Sequence, residues 1–328
     1  MDGLFQRLRR DSFVVLGRAG MDLYADPPGT PADRAARFVT ALGGAAGNVA
    51  AQLSRLGSSA ALLTRVSDDA VGRFVLNECA RYGIGTAWIS VAGGGRRTSL
   101  AVTETRLQGT QTVIYRNGAA DLSLTGEDVA RVDFAGLGAL VVTGTALAAE
   151  PSRDAARRAA DMARRAGAAV VFDIDHRAYS WASEDEAGAV CRDMAERSDI
   201  VVGNEEEFAL LGGNSAQGAD CARELSRIRG GIAVYKMGAR GSVAWSPEGM
   251  VETPVFPAAA RKPMGSGDAF LGGMLSALGR GDGLDEALRQ GSAAAAIVVS
   301  GIGCAPASPN RAQLDAFMRS HRNAHTAV

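Results

Sequence analysis

Short runs of apolar and β-branched residues recur along the chain, and a helical stretch separates most of them. The runs are Phe13–Leu16, Ala61–Val66, Leu140–Thr143, Val170–Asp173, Ile200–Val202, Ala233–Lys236 and Ser242–Trp245. Most are continuously apolar rather than alternating, which is how a parallel strand covered on both faces reads. Helices are expected over Gly47–Leu56, Asp69–Tyr82, Ser152–Ala166, Glu184–Arg197, Glu205–Leu211, Ala216–Ile228, Gly267–Leu278, Leu284–Val299 and Arg311–Arg319. Strand and helix in alternation imply βαβ units, hence an α/β fold of three layers, α/β/α, around a mostly parallel central sheet. Composition agrees: 47% of the 328 residues are hydrophobic and 41 are Gly, enough for a large core with close helix–sheet packing. The chain is expected to form one domain over residues 1–328.

Two stretches break the pattern. Residues 18–42 include DLYADPPGTPADRA, and residues 96–118 read RRTSLAVTETRLQGTQTVIYRNG, with polar alternation. Together they are expected to form a small β lid projecting from the main sheet, with ordinary surface loops as the alternative.

The charge balance excludes some functions. A formal net charge of −1 gives no basic field for nucleic acid or an anionic membrane. No run approaches the roughly 18 apolar residues of a membrane span. Cys79, Cys191, Cys221 and Cys304 are scattered without a CxxC, and the three histidines form no ligand set, so a reduced, cytoplasmic protein is expected. There is no GxxxxGK[ST], no GxGxxG after a strand, no HExxH and no GxSxG.

Chemistry concentrates in a few places. Gly265-Ser266-Gly267-Asp268 opens a helix, and bare backbone at a helix N-terminus leaves N–H groups free to hold an anion. Asp268 in the first turn would lie beside that anion and could take a proton from an attacking hydroxyl. A plain helix cap is the rival reading. Gly43 and Gly44 precede a helix that carries Asn48, a donor and acceptor together. Asn204-Glu205-Glu206-Glu207 follows an apolar strand, where a carboxylate suits a Mg²⁺ site through water; a charged first helical turn explains it equally well. Lys236, Gly238 and Gly241 end a strand in a glycine-spaced turn. Arg116 and Arg177 are candidates to grip a carboxylate in bidentate fashion, although a surface ion pair is the commoner fate of an arginine.

The order of these elements is more informative than any of them alone. GGAAGNVAAQLSRLG, the N-x-x-E of Asn204 and Glu207, the K-x-G-x-x-G from Lys236 and KPMGSGDAFLGG together resemble the PfkB/ribokinase family of carbohydrate kinases, from about Val14 to Phe317. The resemblance implies a ribokinase-like fold and transfer of the ATP γ-phosphoryl group, with Mg²⁺, to a sugar hydroxyl. It implies Asp268 as catalytic base and Gly265, Ser266 and Gly267 as the anion hole. Asp22, Gly43, Gly44 and Asn48 become sugar ligands. Asn204, Glu207, Lys236, Gly238 and Gly241 become Mg·ATP contacts, Glu207 reaching the metal through water. Many members carry Asp-Thr ahead of the GAGD element, where this chain has Lys262-Pro263-Met264, which leaves a monovalent-cation (K⁺) requirement open.

Stretches such as GRAGMDLYADPPGT, IYRNGAADLSLT and VVFDIDHRAYSW are similar to the kinases of keto-deoxy sugar acids. The expected substrate is 5-dehydro-2-deoxygluconate, ahead of 2-keto-3-deoxygluconate, with Arg116 and Arg177 facing its carboxylate. A neutral-sugar or nucleoside kinase of the same fold is the alternative, and a non-catalytic sugar-binding protein the remote one. Exposed lid edges point to a homodimer paired through the lid.

Overall fold

The computed structural model describes residues 1–106, 109–213, 217–259 and 265–321. Its strands are β1 Ser12–Leu16, β2 Gly20–Asp26, β3 Arg37–Gly43, β4 Ser59–Ser67, β5 Ile89–Ala92, β6 Leu100–Thr103, β7 Thr112–Tyr115, β8 Ala139–Thr143, β9 Ala169–Asp173, β10 Ile200–Asn204, β11 Ile232–Lys236, β12 Ser242–Ser246 and β13 Gly249–Thr253. Its α-helices are α1 Asp2–Leu8, α2 Ala45–Arg55, α3 Ala70–Tyr82, α4 Gly126–Ala130, α5 Ser152–Arg165, α6 Glu184–Glu196, α7 Glu205–Gly212, α8 Gly218–Arg229, α9 Ser266–Gly279, α10 Leu284–Val299 and α11 Arg311–Ser320. Among the described residues, nine strands form the main sheet in the order β13-β12-β11-β10-β9-β8-β1-β4-β5. All its pairings are parallel except those joining β11, β12 and β13.

The absence of alternation in the strand sequences has a direct cause. Phe13 and Val15 of β1 pack into one cluster with α1, α2, α3, α9 and α10. Val14 and Leu16 pack into a second with α4 to α8. Both faces are buried, so both must be apolar. On α5 the buried face is Ala155, Ala156, Ala159, Ala160 and Ala163, small side chains that let the helix lie close to the sheet.

The chain steps from β1 to β4 on one side and later returns to β8 on the other. The strand order reverses at β1, where open α/β sheets form a crevice above the carboxyl ends of their strands. A second sheet, β3-β2-β6-β7, stands over that crevice. Its strands come from the two stretches that broke the βα pattern. Asp22 pairs in register with Ala101, and Ala101 with Ile114, so the three share the face that lines the cleft.

Elements that the sequence patterns do not announce include α1, α4, β5 and β13. The two helices are short, and the two strands lie at the edges of the main sheet, where the apolar signal is weak. The Lys262-Pro263-Met264 segment lies outside the described residues.

Candidate active site

Helix α9 starts at a residue that only glycine can supply. Gly265 is left-handed (φ 84°), and a Cβ there would sit 2.0 Å from the Cys304 Sγ. The turn aims the first N–H groups of a 14-residue helix into the crevice. Asp268 lies in that first turn and accepts a hydrogen bond from Asn48 Nδ2 at 2.7 Å. Asn48 belongs to α2, so the interaction ties together two helices on the same side of the main sheet. Burial, with the Asp175 charge second, raises the Asp268 carboxyl to about 6, while Asn48, Arg177 and Lys236 oppose the rise. At neutral pH it is a carboxylate with more proton affinity than an ordinary aspartate, which suits a general base.

Next to it is a buried charge cluster at the strand ends. Lys236, last residue of β11, lies 3.9 Å from Asp173, last residue of β9. Its Nζ is also 3.3 Å from where a Cβ of Gly267 would stand, so the ammonium group is packed against the glycine loop. Burial alone would depress the ammonium, but neighbouring carboxylates, led by Asp173, raise it above its usual value. Asp173 is pushed well up by burial, against the pull of Lys236 and with added repulsion from Asp175, Glu207 and Asp268. Asn204 caps α7 and accepts from the Glu207 N–H at 2.9 Å, while Glu207 Oε2 accepts from the Asn204 N–H at 2.7 Å. Glu207 Oε1 accepts from the His176 N–H at 3.1 Å. The pair is therefore a capping box, and Glu207 faces the cleft with both oxygens already holding one backbone donor.

At the other end, Asp22 on β2 is buried. Tyr24 donates to its Oδ2 at 2.9 Å, and Oδ1 is buried with no hydrogen-bond partner among the described residues. Gly43 explains the fit: a Cβ there would stand 1.9 Å from Asp22 Oδ1. Gly44 (φ 87°) likewise leaves room for the Arg18 carbonyl. Arg116 donates through Nε to Asp121 at 3.0 Å, and its Nη2 contacts Asp121 and the Thr145 carbonyl. Arg177 Nη2 lies 2.7 Å from Asp175 Oδ1, and Thr145 donates to Asp175 Oδ2 at 3.2 Å. Asp175 has φ 34°, a conformation that aspartate tolerates better than most residues.

One cleft of about 780 Å³ brings together Asp22, Gly44, Asn48, Arg116, Arg177, Asn204, Glu207, Lys236, Gly238, Gly241, Gly265, Ser266, Gly267 and Asp268. Two expectations are corrected. Gly43 does not line the cleft; its lack of a side chain makes room for Asp22. Arg116 and Arg177 line it, but neither depends on a substrate for counter-charge, because Asp121 and Asp175 already supply it.

Comparison with known proteins decides the family. The profile described as pfkB family carbohydrate kinase matches residues 10–311. The chain belongs to that family. It is 39% identical over 313 residues to a 5-dehydro-2-deoxygluconokinase of Photobacterium profundum, covering 94% of each chain. It is 34% identical over 329 residues to a 5-dehydro-2-deoxygluconokinase of Geobacillus kaustophilus, covering 98% of each. Among solved structures, one from E. coli assigned as a ribokinase II and bound to ATP and Mg²⁺ superposes with a TM-score of 0.85 at 20% identity, covering 94% of this chain and 99% of that one. At that identity the likeness speaks to the fold.

This pfkB family chain is thus a carbohydrate kinase of ribokinase-like fold, and in or beside its cleft are residues that motif reading passed over. Arg18 follows β1, Asp175 sits between Asp173 and Arg177, and Tyr24 lies two residues past Asp22; all but Tyr24 line the cleft. The available signal was position. A polar residue directly after an apolar strand stands at the mouth of an α/β crevice. Val255, Phe256, Ala295 and Val299 add an apolar wall near α10, which no motif flagged.

Proposed function

We propose that this kinase transfers the γ-phosphoryl group of ATP to a hydroxyl of a keto-deoxy sugar acid, with 5-dehydro-2-deoxygluconate as its substrate. The observation that carries the chemistry is Asp268, held by Asn48 beside the glycine turn at the start of α9. The full-length relatives at 34% and 39% identity carry the substrate.

The sugar lies under the four-stranded sheet, with hydroxyls donating to the Asp22 carboxylate that lines the cleft. Its reacting hydroxyl faces Asp268, which accepts the proton as the oxygen attacks in line. The N–H groups of Gly265–Gly267 and the Lys236 ammonium stabilise charge on the transferred group. The nucleotide runs over Lys236, Gly238 and Gly241, with its base against Val255, Phe256, Ala295 and Val299. Asn204 and Glu207 offer oxygen atoms at the cleft, the kind of donor that suits a hard divalent ion reached through water. Mg²⁺ bound with ATP would neutralise the phosphate oxygens, with Asn204 and Glu207 holding it through water.

The four-stranded sheet acts as the lid, excluding water when sugar is bound. Its other face exposes Phe38, Val113 and Tyr115, and a second copy of the same sheet is the partner that fits. Dependence on ATP makes the cytoplasm the working compartment.

ADP release with Mg·ATP tests this over 5-dehydro-2-deoxygluconate, 2-keto-3-deoxygluconate, fructose, ribose and adenosine, for wild type and Asp268→Asn. The expected result is turnover of 5-dehydro-2-deoxygluconate that the variant loses. Turnover confined to a neutral sugar or nucleoside overturns the substrate, and a fully active Asp268→Asn overturns the mechanism.

A further inference from the structure

We propose that Arg18 is the residue that binds the substrate's carboxylate; the assignment rests on the sugar-acid reading above. Among the described residues, three guanidinium groups line the cleft: Arg18, Arg116 and Arg177. Two of them are neutralised within the protein. Arg116 bonds Asp121 through Nε and Nη2, and Arg177 is paired with Asp175. Arg18 is different. It is 8% exposed, and its hydrogen bond runs from Nη1 to the Ser99 hydroxyl at 3.0 Å. Among the described residues, no carboxylate oxygen comes within ion-pair distance of it.

A buried cation with only a neutral hydroxyl beside it is costly to maintain. A ligand that brings a carboxylate removes that cost, and a planar fork is suited to receive it with two N–H groups. The surroundings agree. Burial raises the Tyr179 phenol, while Arg18 first, then Arg177 and Arg116, pull it back, and all four side chains line the same cleft. Arg18 also follows β1 by two residues and precedes Asp22 by four, which puts it at the root of the strand that carries the hydroxyl acceptor. Gly44 is fitted against the Arg18 carbonyl, holding this segment against the start of α2. The carboxylate end of the sugar acid therefore lies at the Arg18 side of the cleft, and its reacting hydroxyl lies toward Asp268.

The test is steady-state kinetics of wild type, Arg18→Gln and Arg18→Lys with 5-dehydro-2-deoxygluconate and with its neutral carboxamide, and of each with ATP. Wild type is expected to prefer the acid. Arg18→Gln should raise KM for the acid about 10- to 100-fold and leave KM for the carboxamide and for ATP within about twofold. Arg18→Lys, which keeps the charge but not the fork, should fall between; it provides the answer if the Gln variant does not fold. An acid preference that survives in the variants overturns the assignment while leaving the sugar-acid reading intact. A rise in KM for ATP instead places Arg18 on the nucleotide and also overturns it. A wild type with no preference for the acid over the carboxamide overturns the sugar-acid reading itself, and the assignment falls with it.

Discussion

The two sheets of this molecule answer opposite demands. Every residue of β8 and β9 is buried, and charge enters those central strands only at a carboxyl end, as with Asp173. The small sheet is covered differently. One face carries Asp22, Thr103 and Thr112 into the cleft, and the other leaves Phe38, Val113 and Tyr115 exposed. The difference shows where chemistry can be installed in such a fold. A mid-strand charge in a sheet sandwiched by helices would meet neither water nor a partner. A sheet with one face on a cleft can hold a carboxylate mid-strand, and Asp22 is held there by Tyr24.

If this division holds, changes in the core of the main sheet, or at the helix starts that line the crevice beside it, should act on stability or turnover. Changes in the small sheet should act on sugar affinity. The largest effect expected is a loss of about 10³-fold in kcat for Asp268→Asn, with KM values for sugar and ATP little changed, read by steady-state kinetics. A shift confined to KM would erase the distinction. The carboxyl raised to about 6 adds a pH signature: kcat/KM falls about tenfold per unit as pH drops below about 6, because the base becomes protonated. The same shift has a stability sign. A carboxyl raised by folding stabilises below the ordinary aspartate range, and that stability is lost as pH rises through about 6. Asp268→Asn should therefore raise Tm at pH 8 relative to wild type, and raise it less at pH 4.

Next in size is Leu140→Ala in β8, fully buried. It should cost about 2–5 kcal/mol in urea unfolding and leave both KM values unchanged in the folded fraction. Asp22→Asn should do the reverse, raising KM for the sugar about tenfold with ATP affinity and stability nearly intact. The smallest effect expected is Tyr24→Phe. It removes the hydroxyl that holds Asp22 Oδ2 and should raise the sugar KM about 2- to 10-fold. A Tyr24→Phe enzyme with a larger loss in kcat than in affinity would mean that the small sheet also sets the reacting geometry.

Much of the main sheet was legible without coordinates. The runs at Val170–Asp173 and Ala233–Lys236 reappear as β9 and β11 within a residue at each end. The small sheet was harder: its strands alternate between a cleft face and an exposed face, and prolines interrupt the segment between them. The site was legible where local geometry demands a residue type. Gly265 is the clearest case, because its left-handed turn and its contact with Cys304 both exclude a side chain. The arginines show the limit. Sequence pattern marks Arg116 and Arg177 as charges in need of a partner; Asp121 and Asp175 stand only five and two residues away, but these segments have no regular period that would announce the pairing.

What the sequence by itself determined is therefore what depends on neighbours along the chain: the strands, the helices, the glycine turn before Asp268 and the kinase family they resemble. What only the tertiary structure decided is which charges meet. Asn48 reaches Asp268 across 220 residues, and Arg18 reaches Ser99 across 81. Periodicity and turn chemistry are short-ranged, whereas the energy of a buried charge depends on whichever groups the fold brings within a few ångströms.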